Sequence, residues 1–365
     1  KPISADTVTD FMKASKIIIP SQKKLWQWKV MEYLAYAVVF ITPLYFNNKY
    51  HLFTFSPHKT IIIIGLVSLM AIFYSWGILK EKNISFRITP LHIVSIIFLL
   101  SITISSIFGV DPLNSFFGRW REGISLTLIY AVTIFAFIIG FLIKKNKSFI
   151  QNILLASFIS SICVSIVSFA GSSWSKIFEE GSSTIGNSSY AGAYLLFNAC
   201  FGVGLFLFYS KKWQKIMIVI GTLIISFCPI FFNKNILLGK ISLSQIINNP
   251  VLLFGEANAA AIGLGFSVLI ICIFFLIFSS KKWAKIIGVI SLFIVLISSM
   301  YVGLQLVSPN SSIHRIYVEA KNENRFISWD IARSNFDDHK LLGSGFNNFS
   351  YTYQKYFTTD ILKEK

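Results

Sequence analysis

"TIIIIGLVSLMAIFYSWGIL", residues 60–79, carries no charged side chain across 20 positions. At 1.5 Å per residue, a helix of that length covers about 30 Å, the hydrocarbon thickness of a bilayer. Lipid offers no hydrogen-bond partners, so an isolated apolar run crosses a membrane as a helix, which satisfies its own backbone. The run is one of a series. Comparable stretches recur at 31–46, 88–108, 124–143, 149–170, 190–209, 213–232, 250–278 and 284–306, which predicts nine spans. The eighth is the least regular, since Glu256 and Asn258 interrupt a segment rich in Gly and Ala. Small residues there favour close helix packing, and intramembrane polar groups face protein or water.

Composition agrees with this reading. The 365 residues are 54% hydrophobic and only 13% charged, with positive mean hydropathy, outside the range of soluble domains. The expected fold class is an all-α polytopic membrane protein of about nine transmembrane helices, followed by the start of a large extracytoplasmic helical loop. The first 29 residues are polar, carry Lys1, Lys13, Lys16, Lys23, Lys24 and Lys29, and show no secretory signal. Residues 1–29 are therefore expected to be a basic cytoplasmic segment, 30–306 a helical bundle, and 307–365 an extracytoplasmic loop. The chain starts on Lys and stops at "ILKEK", which suggests a piece of a longer protein.

Lys and Arg counts orient the bundle. Gaps 80–87, 144–148, 210–215 and 279–285 hold three basic residues each, whereas the alternate gaps hold one or two. The positive-inside rule puts the first set in the cytoplasm and everything after about residue 307 outside. A net charge of +17 would suggest nucleic acid in a soluble protein, but here it sits in short gaps between spans and serves topology and anionic headgroups.

With 27 lysines and six arginines, arginine is the informative cation. Arg119, Arg121, Arg315, Arg325 and Arg333 fall on the expected outer side, where topology gives no reason for positive charge, and only Arg87 lies inside. A guanidinium binds phosphate or carboxylate through two parallel hydrogen bonds, while Lys offers a point charge. The pattern points to an outward site for a phosphorylated or carboxylated ligand; snorkelling at the headgroups is the plainer alternative for any one of them.

Three outer stretches carry the polar detail. "DPLNSFFGRWREG" (111–123) sets Arg119 and Arg121 around Trp120, with Gly118 and Gly123 allowing a turn. "GSSTIGNSSYAGAYLL" (181–196) leads into the sixth span, where Asn187, Ser188 and Ser189 would cap the helix and aim backbone N–H groups outward at an anion. In 325–342, Phe326, Trp329, Ala332 and Phe336 fall on one side of a helix, a stripe for packing on the membrane or on the bundle. Arg325 and Arg333 flank that stripe, and Gly343 and Gly345 end the helix.

Taken together, "SFFGRWREG", "STIGNSSYAGAYLL" and "NRFISWDIARSNFDDHKLLGSGFNNFSYTYQKYF" resemble the O-antigen ligase superfamily, over roughly 110–357. That superfamily comprises O-antigen ligases, O-antigen polymerases and protein O-oligosaccharyltransferases. Arg325, Trp329, Gly343, Gly345 and Phe349 match its pattern of an Arg, a Trp four residues on, and a Gly-x-Gly followed by an aromatic. The resemblance implies metal-independent transfer of a glycan from an undecaprenyl diphosphate carrier to a hydroxyl acceptor, which is a lipid-linked sugar, a polysaccharide or a protein. It implies no cofactor. Arg119 or Arg121 together with Arg325 are the residues expected to hold the diphosphate; Arg333, Arg315 and Asn187 are further candidates.

Two departures stand out. An arginine of the pattern is replaced by Asn258 in "GEANAAAIGLG", and the catalytic histidine is expected further along the outer loop, past Lys365. His314 and His339 do not occupy its place. A transporter or lipid flippase, or a non-catalytic scaffold of envelope polysaccharide assembly, are the competing readings. The first would predict charged or broken helices at the midplane and an internal repeat, yet Glu256 is the one acidic residue well inside an expected span. The four cysteines lie in apolar runs, and neither they nor His51, His58 and His92 suggest a metal or disulfide site.

Overall fold

A computed structural model of the chain describes residues 26–46, 57–81, 88–119, 123–174, 183–228, 244–245, 258–308, 311 and 324–357. Its elements are α1 (Trp26–Leu44), α2 (Pro57–Lys80), α3 (Pro90–Ile107), the short α4 (Pro112–Phe117), α5 (Leu126–Lys145) and α6 (Ser148–Trp174). After a 3-10 turn (Ser183–Ile185) come α7 (Ser188–Phe208), α8 (Lys212–Ser226), α9 (Asn258–Ile277), α10 (Lys282–Val307), α11 (Asn324–Asp338) and α12 (Phe349–Tyr356). No strand occurs among the described residues.

The protein is an all-α, multi-pass membrane protein. Six described helices are long and apolar enough to cross a bilayer: His58–Lys80, Pro90–Ile107, Leu126–Lys145, Ser148–Phe169, Ser189–Phe208 and Lys282–Gln305. That is fewer than the nine spans expected. Gln27, Lys29 and Glu32 make the start of α1 polar. The described part of α8 has only 15 residues, short of the hydrocarbon thickness. In α9 the apolar helix runs from Ala261 to Ile277, and residues 250–257, with Glu256, lie outside the described residues.

α6 is central, packing on α1, α7 and α8, while α5 bridges α2 and α3. A run of buried serines lets α6 approach its neighbours closely and supplies local hydrogen bonds. Ser157 Oγ donates to Asn198 Oδ1 (2.8 Å), Ser160 Oγ to Phe40 O (3.0 Å), and Ser165 Oγ to Ser161 O (2.9 Å). Asn198, 1% exposed, also donates to Tyr194 O (2.9 Å), so this polar group on α7 is satisfied within the bundle. Around this seam, Phe158, Leu195, Leu205 and Ile225 form one apolar core, and Trp28, Met31, Met70 and Phe149 form another.

The loops separate to the two ends. At one end two of the basic gaps meet: the Lys145 ammonium pairs with Glu81 and lies 5.6 Å from the Trp28 ring, and Asn146 Nδ2 donates to Glu32 Oε1 (3.0 Å). At the other end, Pro43, Lys59, Gly123 and Thr184 are joined by hydrogen bonds, and the segment 341–353 docks on the turn after α3. The gaps that begin at 81 and at 145 thus share one end, and the turns at 43, 59, 123 and 184 share the other.

The helix expected over 325–342 runs from Asn324 to Asp338 and ends one turn early. Gly343 and Gly345 follow it at φ +64° and +94°, the left-handed region that glycine tolerates. The expected stripe needs correction where it concerns packing on protein. Ile327 (8% exposed) and Ile331 (2%) form the buried edge of α11, whereas Trp329 and Phe336 are exposed. Asn335, one turn beyond Ile331, donates to Ser344 Oγ (3.4 Å), so the following turn selects the edge spaced at four residues over the aromatic one.

Candidate functional site

The site is assembled from the turn after α3 and the turn before α12. Asp111 caps α4, accepting from Asn114 N at 3.0 Å, and Pro112 opens that helix with φ already suited to it. The chain reverses through Gly118 (φ +74°) and Gly123 (φ +65°) into α5. Ahead of α4 stands Gly109. A Cβ there would lie 2.7 Å from Gly345 Cα and 2.7 Å from Ser344 O, so the two backbones touch at paired glycines.

Hydrogen bonds fix the contact. Val110 N donates to Ser344 O (2.9 Å) and Ser105 Oγ to Leu342 O (2.5 Å). Asn348 is fully buried at its centre. Its Nδ2 lies within reach of Asp111 O (3.2 Å), Ser115 Oγ (3.1 Å) and Ser344 O (3.0 Å), and its Oδ1 accepts from Asn114 Nδ2 (2.8 Å). Asn114 Nδ2 also reaches Asn347 O (3.0 Å), while Asn347 Nδ2 donates to Ile124 O (3.1 Å). Asn347 itself is held at φ +59°, a conformation asparagine adopts more readily than most residues.

This joint sets Tyr351, on α12, beneath Arg119. The guanidinium carbon of Arg119 lies 5.2 Å from the centre of the Tyr351 ring, within cation–π range. The Tyr351 hydroxyl donates to Asp111 Oδ2 at 2.8 Å. Asp111 is held below the ordinary carboxylate range, first by the Asn114 backbone N–H, then by the Tyr351 hydroxyl, with the Arg119 charge adding to both. The Tyr351 ring stands against the guanidinium, the Asp111 carboxylate acts on it through space, and no acceptor among the described residues takes up its N–H groups. An oriented fork of this kind is suited to bidentate contact with an oxyanion.

The other expected site residues are placed as follows. Arg121 and Arg315 lie outside the described residues. Arg325 is in the first turn of α11, with its side chain outside what is described, and Arg333 is exposed on the same helix. The structure joins the α11–α12 segment to Arg119 through Asn348 and Tyr351. It does not join Asn187 to that site. Asn187 caps α7, with Oδ1 accepting from Ser189 N (2.9 Å) and Tyr190 N (3.4 Å) and its carbonyl from Ala191 N (2.9 Å). The N–H groups of Ser189, Tyr190 and Ala191 thus bond Asn187.

Asp111, Asn114, Asn348 and Tyr351 are absent from the sequence-based site. Asp-Pro before a short helix is a cap signal that locates Asp111, and "GSGFNN" marks a tight turn; neither reveals its partner. Among the described residues, no group of three or more His, Cys, Asp or Glu side chains is close enough to hold a metal ion. A scan against models of protein families and searches of curated proteins and of solved structures gave no match to this chain.

Proposed function

We propose that this protein is a membrane glycan transferase of the O-antigen ligase type. It moves a glycan from an undecaprenyl diphosphate carrier to a hydroxyl acceptor at the outer face of the cytoplasmic membrane. In this reading the basic end of the bundle is cytoplasmic, and α4, α11 and α12 lie outside. Helices α1, α8 and α9 cross the bilayer beside the six long apolar ones, so that 307–365 follows a ninth span.

The observation that carries the proposal is the joint between 105–119 and 341–353. Two of the three stretches that resemble the superfamily, separated by more than 200 residues, meet at one end of the bundle and present an oriented guanidinium. In the reaction the acceptor oxygen attacks the anomeric carbon, the carbon–oxygen bond to the diphosphate breaks, and the hydroxyl proton passes to a base. Negative charge grows on the leaving diphosphate. A fixed guanidinium stabilises that charge more in the transition state than in the bound donor, which lowers the barrier. Arg119 is assigned this role, with Arg325, Arg121 and Arg333 as its expected companions on the diphosphate.

The test is transfer from a labelled undecaprenyl-diphosphate-linked oligosaccharide by the membrane-embedded chain, compared with Arg119→Lys. Lysine keeps the charge and loses the fork and the stacking plane. Loss of about 1.5–3 kcal/mol of charge-assisted bonding lowers the rate roughly 10- to 150-fold. Parent activity with an unchanged rate for Arg119→Lys would remove Arg119 from the mechanism; absence of transfer by the parent with such donors counts against the reaction class.

A further inference from the structure

Lys59 is a half-buried cation with an incomplete set of partners. It stands in the first turn of α2, and its Nζ donates to Thr184 O at 2.7 Å. An ammonium carries three donors. Among the described residues no carboxylate pairs with Lys59 and no second acceptor takes up its remaining protons. Withdrawing a cation from water against one carbonyl dipole is unfavourable unless an anion completes the arrangement. The frame around it is firm, because Thr184 (1% exposed) donates to Pro43 O at 2.8 Å and Thr60 Oγ1 to Gly123 O at 2.7 Å.

A cleft of about 260 Å³ runs between α1, α2, α5, α6 and α7. Val38, Val39, Ile63, Val132 and Phe135 give it an apolar wall. Ile63 lies one turn along α2 from Lys59, and Pro43, whose carbonyl anchors Thr184, is also part of the wall. The ammonium is thus linked to the wall through Thr184, whose carbonyl it meets and whose hydroxyl bonds Pro43 O. Thr42, likewise in the wall, has a buried hydroxyl oxygen with no hydrogen-bond partner.

We infer that Lys59 and this cleft bind a lipid carrying an anionic phosphate, with the phosphate on the Lys59 ammonium and one hydrocarbon chain along Val38, Ile63, Val132 and Phe135. Charge complementarity selects the occupant. A neutral lipid fills the cleft and leaves the cation unpaired, whereas a free phosphate pairs the cation and leaves the apolar wall uncovered. The Thr42 hydroxyl supplies a donor for an oxygen near the headgroup. The site requires membrane placement alone, does not use the Arg119 side chain, and does not depend on glycan transfer.

Native mass spectrometry of the whole chain, titrated with phosphatidic acid, diacylglycerol or inorganic phosphate, tests the inference. Phosphatidic acid is expected to bind at least tenfold more tightly than diacylglycerol, and inorganic phosphate not to be retained. Lys59→Met, which keeps the aliphatic stem, should bring phosphatidic acid down to the diacylglycerol level, while Lys59→Arg keeps the preference. Val132→Trp, at a half-exposed wall position that tolerates bulk, should weaken phosphatidic acid at least tenfold with Lys59 intact. Full binding by Lys59→Met overturns the phosphate contact. Full binding by Val132→Trp, or inorganic phosphate displacing phosphatidic acid by itself, overturns the chain site.

Discussion

Replacing Asn348 by alanine removes the centre of the joint between 105–119 and 341–353. The amide has two protons and three oxygens in reach, and it accepts one bond from Asn114. Three bonds are therefore lost at most, each with a net worth of about 0.5–1.5 kcal/mol. Some partners recover: Asn114 Nδ2 keeps Asn347 O, and Ser115 Oγ keeps Asp111 O at 3.0 Å. The Asp111 carbonyl also keeps Ser115 N and the Ser344 carbonyl keeps Val110 N, so the loss falls on the bonds that Asn348 itself makes. A cost of about 2–4 kcal/mol to docking follows, which shifts the docked-to-open ratio roughly 30- to 1000-fold. Hydrogen exchange of the protein in lipid nanodiscs reads this directly, since Val110 N–H is protected only while it donates to Ser344 O. Peptides covering 105–119 and 341–353 should exchange faster together, while those from α6 and α7 stay as in the parent. If Asn348→Ala leaves both segments at parental protection, the amide does not hold the joint and the reasoning fails.

Other perturbations follow from the same geometry. Gly345→Ala places a Cβ 2.8 Å from Asn348 Nδ2 at φ +94°, and Gly109→Ala places one 2.7 Å from Gly345 Cα. Each should cost the joint about 1–3 kcal/mol, and the double variant should cost less than the sum, because either change alone separates the two backbones. Asp111 has its folded pKa depressed, so its contribution is present above the unfolded carboxylate value near about 4 and is lost as pH falls through the lower folded value. Exchange protection of 341–353 should hold at neutral pH and decline only in acid, and Asp111→Asn should remove that acid-side decline. Tyr351→Phe should leave the Arg119 stacking plane in place while breaking the bond to Asp111, so transfer should fall less than for Tyr351→Ala.

Membrane helices were the legible part of the sequence because their signal is length times hydropathy. The run at 60–79 appears as α2 (Pro57–Lys80), 124–143 as α5 (Leu126–Lys145), and 149–170 as α6 (Ser148–Trp174). Polar joints give no such signal. Asn348 and Asn114 bind side chain to side chain across 234 residues, and amides carry no periodicity that would point one to the other. Arg119 was legible through the scarcity of arginine, whereas Tyr351 beneath it was one tyrosine among 14. In α11 the aromatic spacing was as good a helical stripe as the isoleucine spacing. Only the docking of the Gly343–Gly345 turn, a tertiary fact, decides between them.

The contact between Gly109 and Gly345 also sets an order of events during synthesis. Asn348 follows Asp111 by 237 residues. At ribosomal speeds of about 5–20 residues per second, roughly 10–50 s separate the emergence of the two halves. For that interval the turn after α3 has its amides and paired-glycine surface uncovered, waiting for a partner not yet translated. The arginine site is thus a late product of biogenesis, closed only after α5 to α10 have been made, and a nascent chain cannot present an oriented Arg119 before its helices are in place.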